Sequence, residues 1–297
     1  MKQLIKKIAR GLIYKGFFNF IPDKQYLQLS YFAHTGKKLN LKNPQTFNEK
    51  LQWLKLYNRK PEYTQMVDKY GAREFIASKV GEEHLIPLIG VWDKFDDIDF
   101  DKLPKQFVLK CTHDSGGLII CKDKSKLDIE AARKQINATL KKDYYLVARE
   151  WPYKNVPRKI IAEEIIEDKT VGYLKDYKFF CFDGEVKCLY VTSNRGLPGG
   201  LKMDYFTPEW EHLPIEHYKY PHNLEDMPKM PENYDKMIEI AKKLSEGMPH
   251  VRVDLYNIDG HIYVGELTLF IDAGFGTMKP YEYNKIFGDW IKLPERG

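Results

Sequence analysis

Two runs near the C-terminal end, VRVDLY and YVGELT, alternate apolar and polar residues and are separated by Asp259-Gly260. Asp-Gly between such runs is a hairpin signal, so the two strands run antiparallel. Counting outward from the turn sets Asp254 beside Glu266, within one residue of register. Two carboxylates on one sheet face repel unless a cation lies between them. Magnesium suits that place, because it takes hard oxygen ligands and is held by one or two carboxylates plus substrate phosphates. Arg252 lies two residues before Asp254 and Thr268 two after Glu266, so both share the face. Arg, Asp, Glu and a small hydroxyl on one patch outline a phosphate–metal site. A solvated sheet face with an ordinary cross-strand Arg–Glu pair fits the same pattern.

Three further stretches carry chemistry-bearing side chains. In QFVLKCTHDSGG, Lys110 closes an apolar strand and is followed by Ser115, Gly116 and Gly117. The amides of such a loop can point at phosphate oxygens; the alternative is a plain hairpin turn. No GxxxxGK[ST] occurs, and a strand follows the loop, which excludes a Walker-type site. In IIAEEIIED an apolar strand runs into Glu163, Glu164 and Ile166, a hinge whose backbone could bond an adenine edge while isoleucines cover the ring. In DYKFF, Asp176 and Lys178 share one strand face, where they could meet ribose hydroxyls and phosphates or simply pair with each other.

The elements that must position these residues can be read along the chain. Of 297 residues, 43% are apolar and 30% charged, an ordinary globular balance that excludes disorder, collagen and coiled coil. No apolar run reaches the roughly 20 residues of a membrane span. The start has no uninterrupted apolar core and no small-residue cleavage site, so it does not read as a secretory signal. Cys111, Cys121, Cys181 and Cys188 form no CxxC pair and are expected as reduced thiols in a cytoplasmic protein. The net charge of +5 matches Lys2, Lys6, Lys7, Arg10 and Lys15 in a start that holds no acid. Basic character confined to one end does not suggest a nucleic-acid partner. Leu4, Ile5, Ile8, Leu12 and Ile13 recur there at helical spacing, with Tyr14, Phe17, Phe18 and Phe20 following. Such a basic amphipathic helix either lies in a membrane interface or packs on its own domain with a solvated basic side.

Residues 21–80 read as mostly helical. Thr46 and Glu49 form a capping box for a helix through PQTFNEKLQWLKLYNR, and one further helix is expected from about Pro61 to Gly81. A short strand in HLIPLIGVWD and an acidic connector, FDDIDFDKLP, come next. From Pro104 the pattern is strand, loop, strand, then a helix in LDIEAARKQINATLKK. Asp183-Gly184 joins two strands, residues 196–233 read as an irregular excursion, and ENYDKMIEIAKKLSEGM is a helix. The class is α+β with antiparallel hairpins, not a doubly wound parallel sheet.

The order of these pieces (lysine strand, glycine loop, hinge glutamates, Asp-x-Lys strand, terminal Asp/Glu hairpin) resembles the ATP-grasp fold. The stretches PQTFNEKLQWLKLY, VDKYGAREFI, HLIPLIGVWDKFDDIDFDKLPKQFVLKCTHDSGG, DYKFFCFDGEVK and HVRVDLYNIDGHIYVGELT are more closely similar to the TupA-like ATP-grasp family of bacterial surface-polysaccharide clusters. The resemblance runs from about residue 44 to the C-terminus. It implies two α+β lobes clamping ATP behind a mostly helical N-terminal region: a basic helix over 1–20, a region over 21–103, a small lobe over 104–166 and a large lobe with the metal site over 167–297.

By the same resemblance, Lys110 contacts ATP phosphates near the adenine, and His113, Ser115, Gly116 and Gly117 belong to a flexible flap. Glu163, Glu164 and Ile166 line the adenine hinge, Asp176 meets the ribose and Lys178 the phosphates. Asp254 and Glu266 bind Mg2+, with Thr268 where many ATP-grasp enzymes carry an asparagine. Arg252 stabilises the transferred phosphoryl group, and Arg195 is a further anion contact. Two departures stand out: Asp114 in the flap, where glycine is expected, and Asp272 in LFIDAGFG. The implied activity is ATP-dependent carboxylate–amine ligation through an acyl phosphate, joining an amino acid or amine to a carboxylate-bearing surface glycan or its precursor. The alternatives are a glycosyltransferase, for which Asp97, Asp99 and Asp101 supply Asp-x-Asp patterns, and a noncatalytic module of a membrane assembly.

Overall fold

The computed structural model describes residues 2–169 and 172–296. Helices open the chain: α1 (Lys2–Tyr14), α2 (Asp23–Thr35) and α3 (Phe47–Tyr57). The expected capping box starts α3, with the Thr46 hydroxyl accepting from the Glu49 amide and the Glu49 carboxylate accepting from the Thr46 amide. The single helix expected from Pro61 to Gly81 is two, α4 (Glu62–Val67) and α5 (Ala72–Val80). The Asp68 carboxylate accepts from the Tyr70 amide at 3.0 Å, a local turn that competes with helical bonding. The Lys69 amide instead donates to the Thr112 carbonyl, so the break ties the helices to the next lobe.

Strand β1 (Leu88–Trp92) follows, then β2 (Phe107–Cys111), β3 (Leu118–Cys121), α6 (Ile129–Leu140), the short α7 (Tyr145–Ala148) and β4 (Ile160–Glu163). They form an antiparallel sheet ordered β1-β4-β2-β3. Phe107, Leu109 and Cys111 alternate onto one face, where Ala132 and Ile136 of α6 cover them, so this lobe has a core of its own. Because β1 pairs with β4, the expected boundary at residue 104 runs through this sheet.

The second lobe holds β5 (Asp176–Phe182), β6 (Glu185–Ser193), β7 (Lys202–Phe206), β8 (His212–Leu213), β9 (Glu216–His217), α8 (Tyr234–Ser245), β10 (Val251–Ile258), β11 (His261–Thr268), β12 (Met278–Lys279) and α9 (Glu282–Trp290). The region 196–233, expected to be irregular, thus contributes three strands; its Gly, Pro and His content masks the alternation of Lys202–Phe206. The large sheet runs β11-β10-β5-β6-β7-β8, and β9 pairs separately with β12.

Strand β5 is covered on both sides. Phe179 stacks near Tyr234 of α8, while Phe180 on the other face meets Phe287 of α9, with ring centres 5.2 Å apart. Phe47 of α3 packs edge-on to Phe287 at 5.7 Å, so the N-terminal helices close the front of the sheet. Lys55 of α3 is fully buried and donates to the carbonyls of Ala148 (2.9 Å) and Ala273 (2.8 Å). Burial pushes its amine below the ordinary range, against the pull of Glu150. One ammonium thereby stitches the helical region to both neighbouring segments. Lys55→Met keeps the stem but takes a donor from both carbonyls, leaving Ala273 with Gln52 (3.0 Å), and removes the charge beside Glu150, so a loss on the order of 3 kcal/mol is expected. Urea unfolding measures it; a loss below about 1 kcal/mol would show that the stitch contributes little.

Candidate active site

The terminal hairpin has the register anticipated for it. Asp254 faces Glu266 and Arg252 faces Thr268. One residue later the ladder slips: Leu255 pairs with Val264, so Gly265 is the extra residue of a bulge. A side chain there would meet the Tyr256 ring at 2.8 Å, which is why glycine stands at this point. The bulge re-aims Glu266 toward Asp254.

Strand β10 also pairs with β5, which places Lys178 directly across from Asp254 on the other side. Asp254, only 1% exposed, therefore lies between Lys178 and Glu266 in three adjacent strands. The Arg252 guanidinium joins them. Its Nε and Nη2 donate to Asp254 at 2.6 and 2.7 Å, and Nη2 also reaches Glu266 Oε1 and Thr268 Oγ1, each at 3.0 Å. Lys178 donates to Asp254 as well and lies 3.6 Å from Asp176. Asp176 in turn accepts from Thr192 (2.8 Å) and Arg195 (2.6 Å). Three carboxylates and three cations thus alternate across the sheet face, with Asp176 and Asp254 at the floor and Glu266 and Arg195 half exposed at the rim.

The charges set each other's protonation. Partial burial would raise the Glu266 carboxyl, yet Arg252 and Lys178 hold it down at about 2. At Asp254 burial wins: its carboxyl stays above the ordinary range despite the same two cations. Burial works against the charge on Lys178, but Asp254 and Asp176 keep its amine above the ordinary range.

The small lobe supplies a second group. Lys110 Nζ lies 2.5 Å from Glu163 Oε2, and Arg73 reaches Glu163 Oε1 at 3.2 Å and the Ile86 carbonyl at 2.8 Å. The Glu164 amide donates to the Pro87 carbonyl while its side chain is exposed, and Ile166 is half buried in the segment that leads to the large lobe. The loop after β2 is narrower than the flap expected over residues 113–117. Thr112, His113 and Asp114 are buried, and only Ser115 and Gly116 are exposed. Gly116 takes a φ of +93°, and a Cβ on Gly117 would strike the Asp114 carboxylate. Lys69 donates to the Asp114 carbonyl and lies 3.4 Å from its carboxylate, which offsets the acid that departs from the family pattern.

One cleft runs between the lobes, lined by Lys69, Arg73, Asp114 and Glu163 on one side and by Gly265 and Glu266 on the other. The structure thus brings Glu163 and Glu266 to one cavity. Lys69 and Arg73 were not singled out from sequence. Their signal is the pair of cations flanking Gly71 in VDKYGAREFI, which gains meaning only once the helix break turns them inward. Asp272 stands apart, in a turn with a φ of +47°, 3.9 Å from His217. The donor set of Asp254, Glu266 and Thr268 is all oxygen, and a cation already bridges both carboxylates, so these residues fit a hard divalent ion.

The TupA-like ATPgrasp family model matches residues 49–292. No curated protein matches the chain closely enough to count as a relative. Among solved structures, D-alanine–D-alanine ligase from Bacillus anthracis complexed with ATP is similar at 16% identity and a TM-score of 0.38, over 69% of this chain and 55% of that one. L-amino acid ligase from Bacillus licheniformis is similar at 15% identity and a TM-score of 0.44, over 90% and 56%. The chain therefore spans little more than half the length of either. With the family model covering most of its length, and with the α+β lobes and antiparallel sheets expected of that fold, the chain belongs to the TupA-like ATP-grasp family.

Proposed function

We propose that this protein is an ADP-forming carboxylate–amine ligase that uses ATP and Mg2+ in the cleft between the lobes. The observation that carries the reading is the Arg252 guanidinium shared by two cross-strand carboxylates at a cleft whose opposite wall holds Glu163 and its cations. Asp254, Glu266 and Thr268 hold the metal, which when bound takes up charge on the phosphate oxygens. Arg252, released from one carboxylate, faces the transferred phosphoryl group, and Lys178 sits beside it. Arg195 is half exposed at the rim and meets an anionic substrate group. Lys110 faces the phosphates, held in place by Glu163. The 164–166 segment follows the last strand of the small lobe and covers the adenine. Asp176 is occupied by Thr192 and Arg195, so a ribose contact requires Arg195 to swing away.

A carboxylate oxygen attacks the γ-phosphorus, ADP leaves, and an amine then displaces phosphate from the acyl phosphate to give an amide. No covalent enzyme intermediate is needed. Ser115 and Gly116 form a small exposed rim; closing it keeps water from the acyl phosphate. The Asp-x-Asp alternative is not favoured: Asp99 accepts from the Asp101 amide at 3.2 Å and caps a turn, and none of these acids lines the cleft.

The acceptor is a surface glycan or its lipid-linked precursor, modified with an amino acid or amine in the cytoplasm. Support comes from α1. Ile13 is buried, yet Leu4, Ile5 and Ile8 are exposed, as are Tyr14, Phe17 and Phe20 beyond them. Only the Leu12–Ile13 end of the apolar stripe packs on the protein; Leu4, Ile5 and Ile8 face outward, with Lys6 and Lys7 between them. No helix among the described residues is long and apolar enough to cross a membrane. A basic helix with an outward apolar stripe suits an anionic membrane surface.

Two outcomes are expected. Glu266→Gln, at the half-exposed rim, lowers amine-dependent ADP release at least 100-fold with unchanged circular dichroism, and Asp254→Asn lowers it as far while also losing stability, because Arg252 and Lys178 lose their buried counter-charge; ADP release near wild type in either variant would reject the metal assignment. Ile5→Asp with Ile8→Asp lowers binding to phosphatidylglycerol-containing vesicles at least tenfold in low salt, read by co-sedimentation; binding equal to wild type would leave α1 a purely structural helix.

A further inference from the structure

On the other half of the large sheet, Asp204 of β7 is fully buried, with 0% exposure. Two imidazoles converge on one of its oxygens. His222 Nδ1 lies 3.1 Å from Asp204 Oδ1, and His212 Nε2 lies 3.5 Å from the same atom. The Asn223 amide also donates to the carboxylate, at 3.1–3.2 Å. Among the described residues no lysine or arginine pairs with Asp204. A buried carboxylate whose charge is met by histidine alone lacks a permanent counter-charge, which is costly unless a cation completes the group.

The spacing fits a metal. One ligand atom from each of Asp204, His212 and His222 lies within 4.8 Å of the others. Around a tetrahedral ion with bonds of about 2.0–2.1 Å, neighbouring ligand atoms sit about 3.3 Å apart. The two carboxylate–imidazole separations bracket that value. The rings stand at 74° to each other, so their nitrogens approach from different directions. His212 and His222 are partly exposed, which leaves a route for the ion and for a water at the fourth position. Imidazole with one carboxylate suits a zinc-class ion, in contrast to the all-oxygen set of Asp254, Glu266 and Thr268. In the sheet order, β7 is three strands from β10, about 14 Å away at ordinary strand spacing.

We propose that Asp204, His212 and His222 form a binding site for one zinc-class divalent cation, separate from the ATP-grasp centre. The ion pins β7, β8 and the segment ending at His222 to one another. Between the two histidines lies β9, which pairs with β12, so the ion fixes a stretch that otherwise has few ladder bonds.

The test uses the full chain, stripped with a chelator, dialysed and titrated with Zn2+ without ATP or Mg2+. Competition with a chromogenic chelator gives affinity and stoichiometry, and Co2+ in place of Zn2+ gives a visible spectrum that reports tetrahedral nitrogen–oxygen ligation. One Zn2+ per chain is expected, with a higher melting temperature. His212→Ala and His222→Ala should each weaken binding at least tenfold and remove the cobalt bands, while Glu266→Gln retains both. Because His212 is partly exposed, His212→Ala carries the test if the His222 variant does not fold. Absence of stoichiometric Zn2+ in the wild type, or unchanged affinity and cobalt bands in His212→Ala, would overturn the site and leave a hydrogen-bonded Asp–His cluster.

Discussion

Asp254 is a carboxylate almost wholly removed from water, and the large sheet sets two cations against it that oppose the effect of that burial. A carboxylate in that setting is costly unless its partners lie within hydrogen-bond reach. Arg252 supplies two donors from its own strand and Lys178 one from the neighbouring strand. Lys178 can do so only because β10 pairs with β5. The order β11-β10-β5 gives Asp254 a cation on one side and a second acid on the other, and the face becomes a lattice of alternating charge. Such a lattice is balanced at rest and gains from an added cation only if an anion enters with it. That is the condition a metal–triphosphate pair satisfies.

The remaining architecture holds this strand in place. Phe179 and Phe180 send their rings to opposite faces of β5, one under α8 and the other under α3 and α9. The front helices therefore serve as the wall against which the site's sheet rests. The small-lobe sheet keeps its own core, and polar bonds tie the lobe to the front helices at the α4–α5 break and around α7, where Lys55 and Tyr26 donate to its carbonyls. Lys69 and Arg73 lie at that break, one bonded to the glycine-loop lobe and the other to Glu163. A lobe with a separate core and a few polar ties is suited to closing over a cleft.

Much of the site could be read from residue types because hairpins convert sequence separation directly into spatial pairing. Asp259-Gly260 fixed which residues of β10 and β11 meet, and the one residue of uncertainty in register corresponds to the bulge at Gly265. The capping box at Thr46 and Glu49 was equally local. What could not be read depends on distant contacts. The helix break at Asp68 needs a turn bond and the Thr112 carbonyl, neither of which leaves a periodic trace. His113 looks like a loop residue yet is buried, because it lies against the end of α6, beside Thr139 and Lys142. Strand β7 was hidden by the glycines before it, and the histidines around Asp204 are separated by enough chain that only the fold brings them together.

The most direct test of the central claim is a crystal structure with a nonhydrolysable ATP analogue and Mg2+. The account predicts one Asp254 oxygen and one Glu266 oxygen within about 2.1 Å of a magnesium ion that also contacts the β- and γ-phosphates, with Arg252 turned toward the γ-phosphate. A triphosphate bound elsewhere, or bound in the cleft with Arg252 still clasping both acids and no metal between them, would contradict it.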